Sequence, residues 1–462
     1  MPSRRSRLPL VQLAWPLLVE NLLRTSLMSA DTMMLGHYSE KAVAAMSLVN
    51  QFGFFIQLLY MLVSTGASIL IAQNLGAGRR REAGLIGVAS LVLILALSVV
   101  VSAAFGLGAG PLVSLYSLEP EVAYSARRFL GIFGGLSFFM ALNIGQASIL
   151  RAWGYPRVPM MVNVVALIMT VGGNAFCLFG LFGFPVLGVA GVAASTVLSQ
   201  AVACVLSFVL IRRRPELELP LREARAIPAR VYRAMLAIGV PSAGENLSYN
   251  LSQIAILAML SGLGTVPLAT YGILLAVLRY VFMPGASIGL GAQIKVGYLV
   301  GAGRHDEARV TVYRAFGVAF AISVFGVLLV QALHRPILGL FTQDREVVAL
   351  AEAVLLVALV HEPGRNFNTV IIPALKGSGD VHFPVLVGMA SMWGIGVVGA
   401  WVLGVRFGYG LPGVWVAMAA DEWVRGVLML LRWRSGVWRF KALLGAQTAE
   451  ASLSAIEVAE GL

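Results

Sequence analysis

Ionisable side chains inside long apolar stretches are the residues of this sequence best suited to chemistry. Asp31 lies in SADTMMLGH, and Glu362 and Arg365 lie in HEPGRNFN. A charge within a membrane-spanning helix costs about 3 kcal/mol, so such residues usually serve ion or substrate pathways. A carboxyl group among Ser, Ala, Met and Leu can exchange a proton near physiological pH, which makes Asp31 a candidate for cation coupling. Alternatively, Asp31 lies near a helix end and is only solvated.

Two acid–amide pairs occur in duplicate. Glu20–Asn21 and Glu245–Asn246 each follow a proline, Pro16 or Pro241, by four residues. The duplication favours a structural role, such as hydrogen bonding to backbone groups that the prolines leave without a partner. The alternative is a polar site in the second half of the chain, comprising Glu245, Asn246, Glu362 and Arg365.

Two further groups of charges have the spacing of helical ion pairs. Glu362 and Arg365 are three residues apart and can form an internal ion pair on one helix face. Asp421, Glu422 and Arg425 in ADEWVRG predict an ion network near the membrane surface or, alternatively, a gating contact. No nucleophile–base pattern and no phosphate-binding loop ending in GK[ST] is present, so we expect no enzymatic activity and no drive by ATP.

The composition is that of an integral membrane protein. Of the 462 residues, 58% are hydrophobic and 12% are charged, whereas a soluble domain is about a quarter charged. A helix needs about 20 apolar residues to cross a bilayer. Twelve runs meet this requirement: 13–35, 49–73, 84–107, 129–150, 159–181, 189–211, 235–260, 268–298, 311–333, 347–375, 384–404 and 412–431.

The basic residues are concentrated on one side of the predicted spans. Loops on the side of the N-terminus contain 23 of the 34 Lys and Arg residues, and the opposite loops contain six. The positive-inside rule therefore predicts that both termini lie in the cytoplasm, with the chain in the inner (plasma) membrane of a prokaryote. The net charge of +12 is thus an orientation signal, and we expect no nucleic-acid partner.

The sequence repeats itself after 225 residues without a gap. The loop LGAGRRREA at 75–83 returns as VGAGRHDEA at 300–308, and Pro16 and Glu20 match Pro241 and Glu245. Six helices per half place both halves in the same orientation, with a pseudo-twofold axis along the membrane normal, as in parallel-repeat transporters. We predict an all-α membrane protein of two six-helix lobes, 1–211 and 234–441, with a cytoplasmic connector at 212–233 and a cytoplasmic tail at 442–462.

Several motifs together resemble the multidrug and toxic compound extrusion (MATE) transporters over almost the whole chain. They are PLLVENL and SADTMMLGH in helix one, GASILIAQNLGAGRRREA ending helix two, LRAWGYPRVP after helix four with its echo LKGSGDVHFP after helix ten, and LGVAGVAASTVLSQ in helix six. The resemblance implies a twelve-helix, two-lobe exporter of organic, mainly cationic compounds. It would work as a monomer in contact with membrane lipid, exchange its substrate for H⁺ or Na⁺, and need no other cofactor.

A lipid-linked oligosaccharide flippase of the related superfamily is the alternative function. Such a protein needs a cationic cavity to hold a pyrophosphate. The predicted spans contain few Lys or Arg residues, so this alternative ranks below drug export.

The resemblance also implies roles for residues of the first lobe. Asp31 matches the acid of the family's helix-one motif, and a Na⁺ ion could bind there, although no firm metal site is predicted. In the fifth predicted span, the family often has an Asn followed four residues later by an Asp or Asn. This chain has Thr170 and Asn174 there, so one carboxylate of the fuller acidic set is missing. Thr196, at the start of the sixth span, would supply another oxygen. The missing acid favours a proton over a Na⁺ site of several carboxylates. Alternatively, these amide and hydroxyl groups form helix–helix hydrogen bonds.

Helix flexibility and a soft cavity wall complete the expected transport machinery. Pro16 would act as a hinge in helix one. The second and eighth predicted spans, 49–73 and 268–298, are expected to line a central cleft. The candidate lining residues are Tyr60, Met61, Tyr280 and Met283. Aromatic and thioether groups suit flat organic cations, although plain packing against the core or lipid is the alternative.

Overall fold

All the regular structure of the described chain is helical. The computed structural model describes residues 8–180, 183 and 185–441, apart from the side chains of residues 28–33 and 40. The helices are α1 Leu10–Tyr38, α2 Glu40–Gly76, α3 Arg80–Ser114, α4 Pro120–Gly135, α5 Phe138–Ala152, α6 Arg157–Phe179, α7 Gly188–Arg212, α8 Ala229–Ser261, α9 Thr265–Gly301, α10 His305–Ala332, α11 His334–Gly339, α12 Arg345–Ser378, α13 His382–Ser391, α14 Val398–Ala400 and α15 Gly410–Ser435. A 3₁₀ turn covers Leu221–Ala226, and π-type turns cover Met392–Val397 and Trp401–Arg406.

Up to nine membrane crossings in the described residues are evident from helix length and apolar composition. Eight are helical segments that each qualify alone, and the ninth is the pair α4 and α5, which bends by 47° at a short break. Helices α1, α8 and α15 have 29, 33 and 26 residues, enough to cross about 30 Å of hydrocarbon. They are more polar because they carry Glu20, Glu245 and Asp421. With these three, the described chain contains the twelve spans that the sequence predicts.

The helices repeat in the register of the sequence. Four helices of the first half begin 225 residues before a helix of the second half, at Glu40 and Thr265, Arg80 and His305, Pro120 and Arg345, and Arg157 and His382. The internal repeat therefore sets the helix boundaries as well as the residue types.

The duplicated LGAGRRREA loop forms a helix-ending turn that requires glycine. Gly78 and Gly303 have φ angles of +82° and +70°, in the left-handed region that side chains with a Cβ rarely adopt. The amide of the next residue, Arg79 or Arg304, donates to the carbonyl five residues earlier, at 2.9 and 2.8 Å. This hydrogen bond satisfies a carbonyl at the helix end, so the repeated sequence encodes a repeated turn.

The described chain divides into two compact units. The C-terminal unit contains residues 8–18, 76–78 and 241–441, and the N-terminal unit contains residues 19–75 and 79–240. These units differ from the lobes expected at 1–211 and 234–441. Residues 8–18 and 76–78 belong to the C-terminal unit, and residues 234–240 belong with the connector 212–233 to the N-terminal unit. The chain changes unit close to Pro16 in α1 and at Pro241 in α8. The expected tail, 442–462, lies outside the described residues.

The first part of α8 and of α1 each packs closely within its own unit. In the N-terminal unit, a Cβ at Gly66 would overlap the carbonyl oxygen of Met235, and one at Gly239 would overlap a facing carbonyl of α2. In the C-terminal unit, the buried Lys295 donates from Nζ to the carbonyl of Leu8 at 2.6 Å. Small residues at such crossings allow helix backbones to touch in a membrane.

Replacing Gly66 with Ala should destabilise the N-terminal unit, because the new methyl group meets the backbone of Met235. We expect a loss of about 1–3 kcal/mol, measured as a lower midpoint of thermal unfolding of the purified protein in detergent. Gly172→Ala is the matched control, since no atom lies within 4 Å of its added Cβ and alanine is the better helix former. Equal midpoints for the two variants would contradict this packing.

Candidate functional site

An acid–base pair occurs at equivalent positions of the two units. In the N-terminal unit, Nη1 of Arg151 lies 3.0 Å from Oε1 of Glu20, which also accepts from Asn163 at 2.9 Å. In the C-terminal unit, Nζ of Lys376 lies 2.5 Å from Oε2 of Glu245. The bases are 225 residues apart, as are the acids. The duplicated acids therefore pair with basic side chains of α5 and α12, and fix the helix segment that follows each proline.

A second ion pair lies on α12 of the C-terminal unit. Nη1 of Arg365 lies 3.5 Å from Oε1 of Glu362, the i,i+3 pair that the sequence suggested. Nδ1 of His361 lies 3.1 Å from the same oxygen, and the Glu362 side chain is only 1% exposed. The Arg365 guanidinium also lies 3.9 Å from the centre of the Phe282 ring in α9. Glu362 is thus held between the guanidinium group of Arg365 and the imidazole ring of His361.

The charges of α15 form a third, buried group. Nη2 of Arg425 lies 2.9 Å from Oδ2 of Asp421 and 3.0 Å from Oε2 of Glu422, and all three side chains are at most 9% exposed. Asp421 accepts a hydrogen bond from Ser391 at 2.5 Å, and Glu422 accepts one from Asn368 at 2.6 Å. The three side chains therefore form the ion network that their spacing predicted, and the network is buried within the protein. Hydropathy shows that a helix is apolar, but a charged stripe within it can face either solvent or protein.

These three groups are linked to one another. Gly388 lies beside both Glu245 and Arg425, since a Cβ added to this glycine would be 3.6 Å from Oε1 of Glu245 and 3.9 Å from Cδ of Arg425. Arg365 in turn interacts electrostatically with Glu422. We call this set the C-unit charge cluster; its members are Glu245, Glu362, Asp421, Glu422, Lys376, Arg365, Arg425 and His361. Four carboxylates face three permanent cations, so the ionised cluster has a net charge of −1 when its histidine is neutral.

The N-terminal unit has neutral residues where the C-terminal unit has these charges. The residues 225 positions before Glu362, Arg365, Asp421 and Arg425 are Ser137, Met140, Thr196 and Gln200. Their hydrogen bonds join neutral groups, such as Asn143 to Gln200 at 3.0 Å and Tyr60 to Ser137 at 2.7 Å. The two units therefore share a scaffold and one acid–base pair, but the other charges occur in one unit only.

The residues expected around Asp31 are partly assembled. The side chain of Asp31 lies outside the described residues. Oγ1 of Thr170 lies 2.6 Å from Oγ of Ser199, and Asn174 is 1% exposed. Thr196 donates instead to a backbone carbonyl of its own helix at 2.9 Å. The α7 hydroxyl groups that contact Thr170 are those of Ser199 and of Ser195, whose Oγ donates to the Thr170 carbonyl at 3.3 Å. These contacts have the form of the helix–helix hydrogen bonds that the alternative interpretation predicts.

The side chains expected to line a cleft differ in exposure. Tyr60 is fully buried and Met283 is 6% exposed, so both are core residues and the expectation for them is corrected. Met61 is 38% exposed and Tyr280 is 54% exposed, which leaves them accessible. Asn246 donates to a backbone carbonyl of its own helix at 2.9 Å.

The carboxylates of the site are paired with basic side chains. Among the described side chains, no three His, Cys, Asp or Glu residues converge as possible ligands of one ion. The carboxylates of the charge cluster lie close to Lys, Arg and His instead.

Comparison with known sequences agrees with this architecture. The MatE family profile matches residues 16–176 and 241–402. The chain is 37% identical to "Uncharacterized transporter YisQ" of Bacillus subtilis (strain 168), with 94% of this chain and 95% of that protein covered. It is 28% identical to "Probable multidrug resistance protein NorM" of Thermotoga maritima, with 95% and 94% covered.

Solved structures have the same fold. A crystal structure of MATE in the bent conformation matches with a TM-score of 0.83 at 18% identity, covering 96% of both chains. An outward-facing multidrug resistance MATE family transporter of the MOP superfamily matches with a TM-score of 0.82 at 18% identity, covering 98% of this chain and 97% of that one. The fold and these relatives define a multi-pass membrane transporter. The chain belongs to the MatE family of multidrug and toxic compound extrusion transporters.

Removing one partner of the Glu245–Lys376 pair should destabilise the protein more than removing both. Lys376→Met leaves a carboxylate that is 12% exposed without its cation, and we expect a loss of about 3–5 kcal/mol. Adding Glu245→Gln to this variant should recover most of the loss, measured as the midpoint of thermal unfolding in detergent.

The exposed pair of Arg439 and Asp306 is the control for this experiment. The Asp306 side chain is 89% exposed, so Arg439→Met should cost about 1 kcal/mol or less. A Lys376→Met/Glu245→Gln protein that is no more stable than Lys376→Met would show that the pair does not offset a buried charge.

Proposed function

We propose that this protein is a secondary-active exporter that moves small organic compounds, mainly cations, out of the cell in exchange for protons. It acts as a monomer in the inner (plasma) membrane, with both termini in the cytoplasm. Membership of a transporter family and relatives named as multidrug resistance proteins support drug export. The distribution of basic residues supports the orientation. The excess of buried acid in the C-unit charge cluster carries the choice of the proton.

A proton would relieve the excess of negative charge in the cluster. An unmatched carboxylate in a low-dielectric interior is costly, so a cluster with net charge −1 gains from one added positive charge. Asp421 and Glu422 share Arg425 at 2.9 and 3.0 Å. One of the two carboxyl groups can therefore take up a proton while the other keeps its cation, and the two acids titrate as a pair.

Backbone irregularity next to the acids supports the same assignment. The π-type turn Met392–Val397 begins directly after Ser391, which donates to Asp421. A Cβ at Gly396 within this turn would lie 3.7 Å from Cγ of Asp421. Such π-type turns are frequent at functional sites, where they can change the direction of a helix locally.

A sodium ion would fit this cluster less well than a proton. Hard cations require several oxygen ligands around them. A Na⁺ ion next to Glu362 or Glu422 would lie close to the positive charges of Arg365 or Arg425. A proton binds a single carboxyl oxygen and needs no coordination shell.

Asp31 is the proposed coupling acid of the N-terminal unit. The proposal rests on its sequence motif and on the polar residues Thr170, Asn174 and Thr196 of α6 and α7. Protonation drives a conformational change only when the two conformations differ in proton affinity. Pro16, inside α1, is the proposed hinge that gives Asp31 two environments.

The proposed contacts with substrate are the accessible members of the predicted lining, Met61 and Tyr280. An aromatic face attracts an organic cation by about 0.5–2 kcal/mol. A thioether side chain adapts to substrates of different shape, which suits a transporter with several substrates.

Ethidium efflux from proteoliposomes under separately imposed gradients tests the function. A proton gradient alone should drive efflux, and a Na⁺ gradient alone should not. If neither gradient drives ethidium efflux, the antiport proposal is refuted. If only the Na⁺ gradient drives efflux, proton coupling is refuted.

Asp421→Asn tests the role of the charge cluster in the same assay. Asparagine keeps the shape of the side chain and removes its exchangeable charge, so proton-driven efflux should fall at least about tenfold. Asp31→Asn should have a similar effect if Asp31 couples the N-terminal unit. Asp306→Asn is the matched control, because its carboxylate is 89% exposed, and it should keep full activity. Full activity of both test variants would exclude these acids as coupling groups.

A further inference from the structure

The connector between the two halves is packed against the N-terminal unit. Leu217 is 6% exposed. A Cβ at Gly84 of α3 would overlap the carbonyl oxygen of Glu218, and one at Gly87 would lie 2.9 Å from Cδ2 of Leu219. These two glycines therefore allow the connector to lie directly on α3, at the end of the spans where α7 terminates.

A cavity of about 440 Å³ lies where the connector meets α3 and α7. Arg212, Arg214 and Arg222 line it, and none of the three forms a salt bridge with a described residue. The one carboxylate in its wall, Glu223, is 3.3 Å from Nη2 of Arg81 and is thus neutralised from outside the cavity. The cavity wall therefore carries an excess of positive charge, which favours an anion.

A buried acceptor in the same cavity indicates a second feature of the ligand. Gln146 lines the cavity and is 4% exposed, and its Oε1 accepts no hydrogen bond from the described residues. The polar neighbour of this amide is the thiol of Cys204, a weak donor. Because buried polar atoms almost always have a partner, this oxygen requires a donor such as a hydroxyl group.

We infer that this cavity binds the phosphate and hydroxyl groups of an anionic phosphoglycerol lipid headgroup. The guanidinium groups would bind the phosphate by charge-assisted hydrogen bonds, and Gln146 Oε1 would accept from a glycerol hydroxyl. Leu91 and Phe208 in the wall provide an apolar side on the spans α3 and α7, along which the acyl chains would lie. Basic pockets beside membrane helices are typical binding places for such headgroups.

The two glycines that allow the connector to pack on α3 occur in the first half of the chain only. The positions 225 residues after Gly84 and Gly87 are Arg309 and Val312, whose side chains would not allow the same close approach of a connector. The site also differs from the C-unit charge cluster, so it does not depend on the proposed proton exchange.

Native mass spectrometry of the full chain in detergent tests this inference. Dioleoyl-phosphatidylglycerol should bind at least about tenfold more tightly than dioleoyl-phosphatidylethanolamine, and Arg212→Gln/Arg214→Gln/Arg222→Gln should remove this preference. The control Arg80→Gln/Arg213→Gln/Arg225→Gln has the same change in net charge at exposed arginines outside the cavity, and it should keep the preference. If both triple variants lose the preference for phosphatidylglycerol equally, general surface charge explains lipid binding and the inference is overturned.

Two further measurements separate the source of the phosphate and the role of the hydroxyl. Glycerol 1-phosphate at about a hundredfold excess should not displace the lipid; full displacement would show a site for free phosphate instead. Gln146→Met keeps the side-chain shape and should bind phosphatidylglycerol no better than phosphatidylmethanol, which lacks the hydroxyl groups. An unchanged preference for phosphatidylglycerol in this variant would overturn the assignment of Gln146.

Discussion

Burying a charged side chain among membrane helices is costly unless a partner of opposite charge lies within contact distance. The Glu20–Arg151 and Glu245–Lys376 pairs meet this requirement at positions 225 residues apart. Each acid follows a helix proline by one turn, so each pair fixes the helix segment directly after the point where the chain changes unit. The placement of α1 and α8 within the units depends on these pairs, because the prolines weaken both helices just before them.

The two units use the same scaffold with different electrostatics. The N-terminal unit joins α5 and α7 by a neutral hydrogen bond between Asn143 and Gln200. In the C-terminal unit, the counterparts Asn368 and Arg425 both contact Glu422. A neutral bond stabilises packing at every pH, whereas two carboxylates that share one arginine carry the excess negative charge on which the proposed proton exchange rests. Duplication followed by such differences has given the C-terminal unit buried charges where the N-terminal unit has neutral residues at the equivalent positions.

The sequence predicted the helices and their register well, because apolar length and an internal repeat are linear properties of the chain. The starts of α2 and α9, and the turn glycines Gly78 and Gly303, follow the repeat directly. The site was less predictable, because contacts between helices depend on how each helix is rotated. Tyr60 was expected in a cleft but is buried against Ser137. The spacing of Glu362 and Arg365 indicated their pair within one helix, but no spacing could indicate that Gly388 brings Glu245 close to Arg425.

The magnitudes involved show how the proposed proton exchange and the proline-bearing helices can be connected. Separating a buried carboxylate from its base costs about 3–5 kcal/mol. A proton entering across a pH difference of one unit supplies about 1.4 kcal/mol, and a membrane potential of 100 mV adds about 2.3 kcal/mol. These two contributions together are close to the cost of breaking one pair. A bend at Pro241 that moved Glu245 away from Lys376 would therefore cost about as much as the entry of one proton into the C-unit charge cluster supplies. Without proton entry the cost of the same bend would not be offset, so movement and proton uptake would occur together.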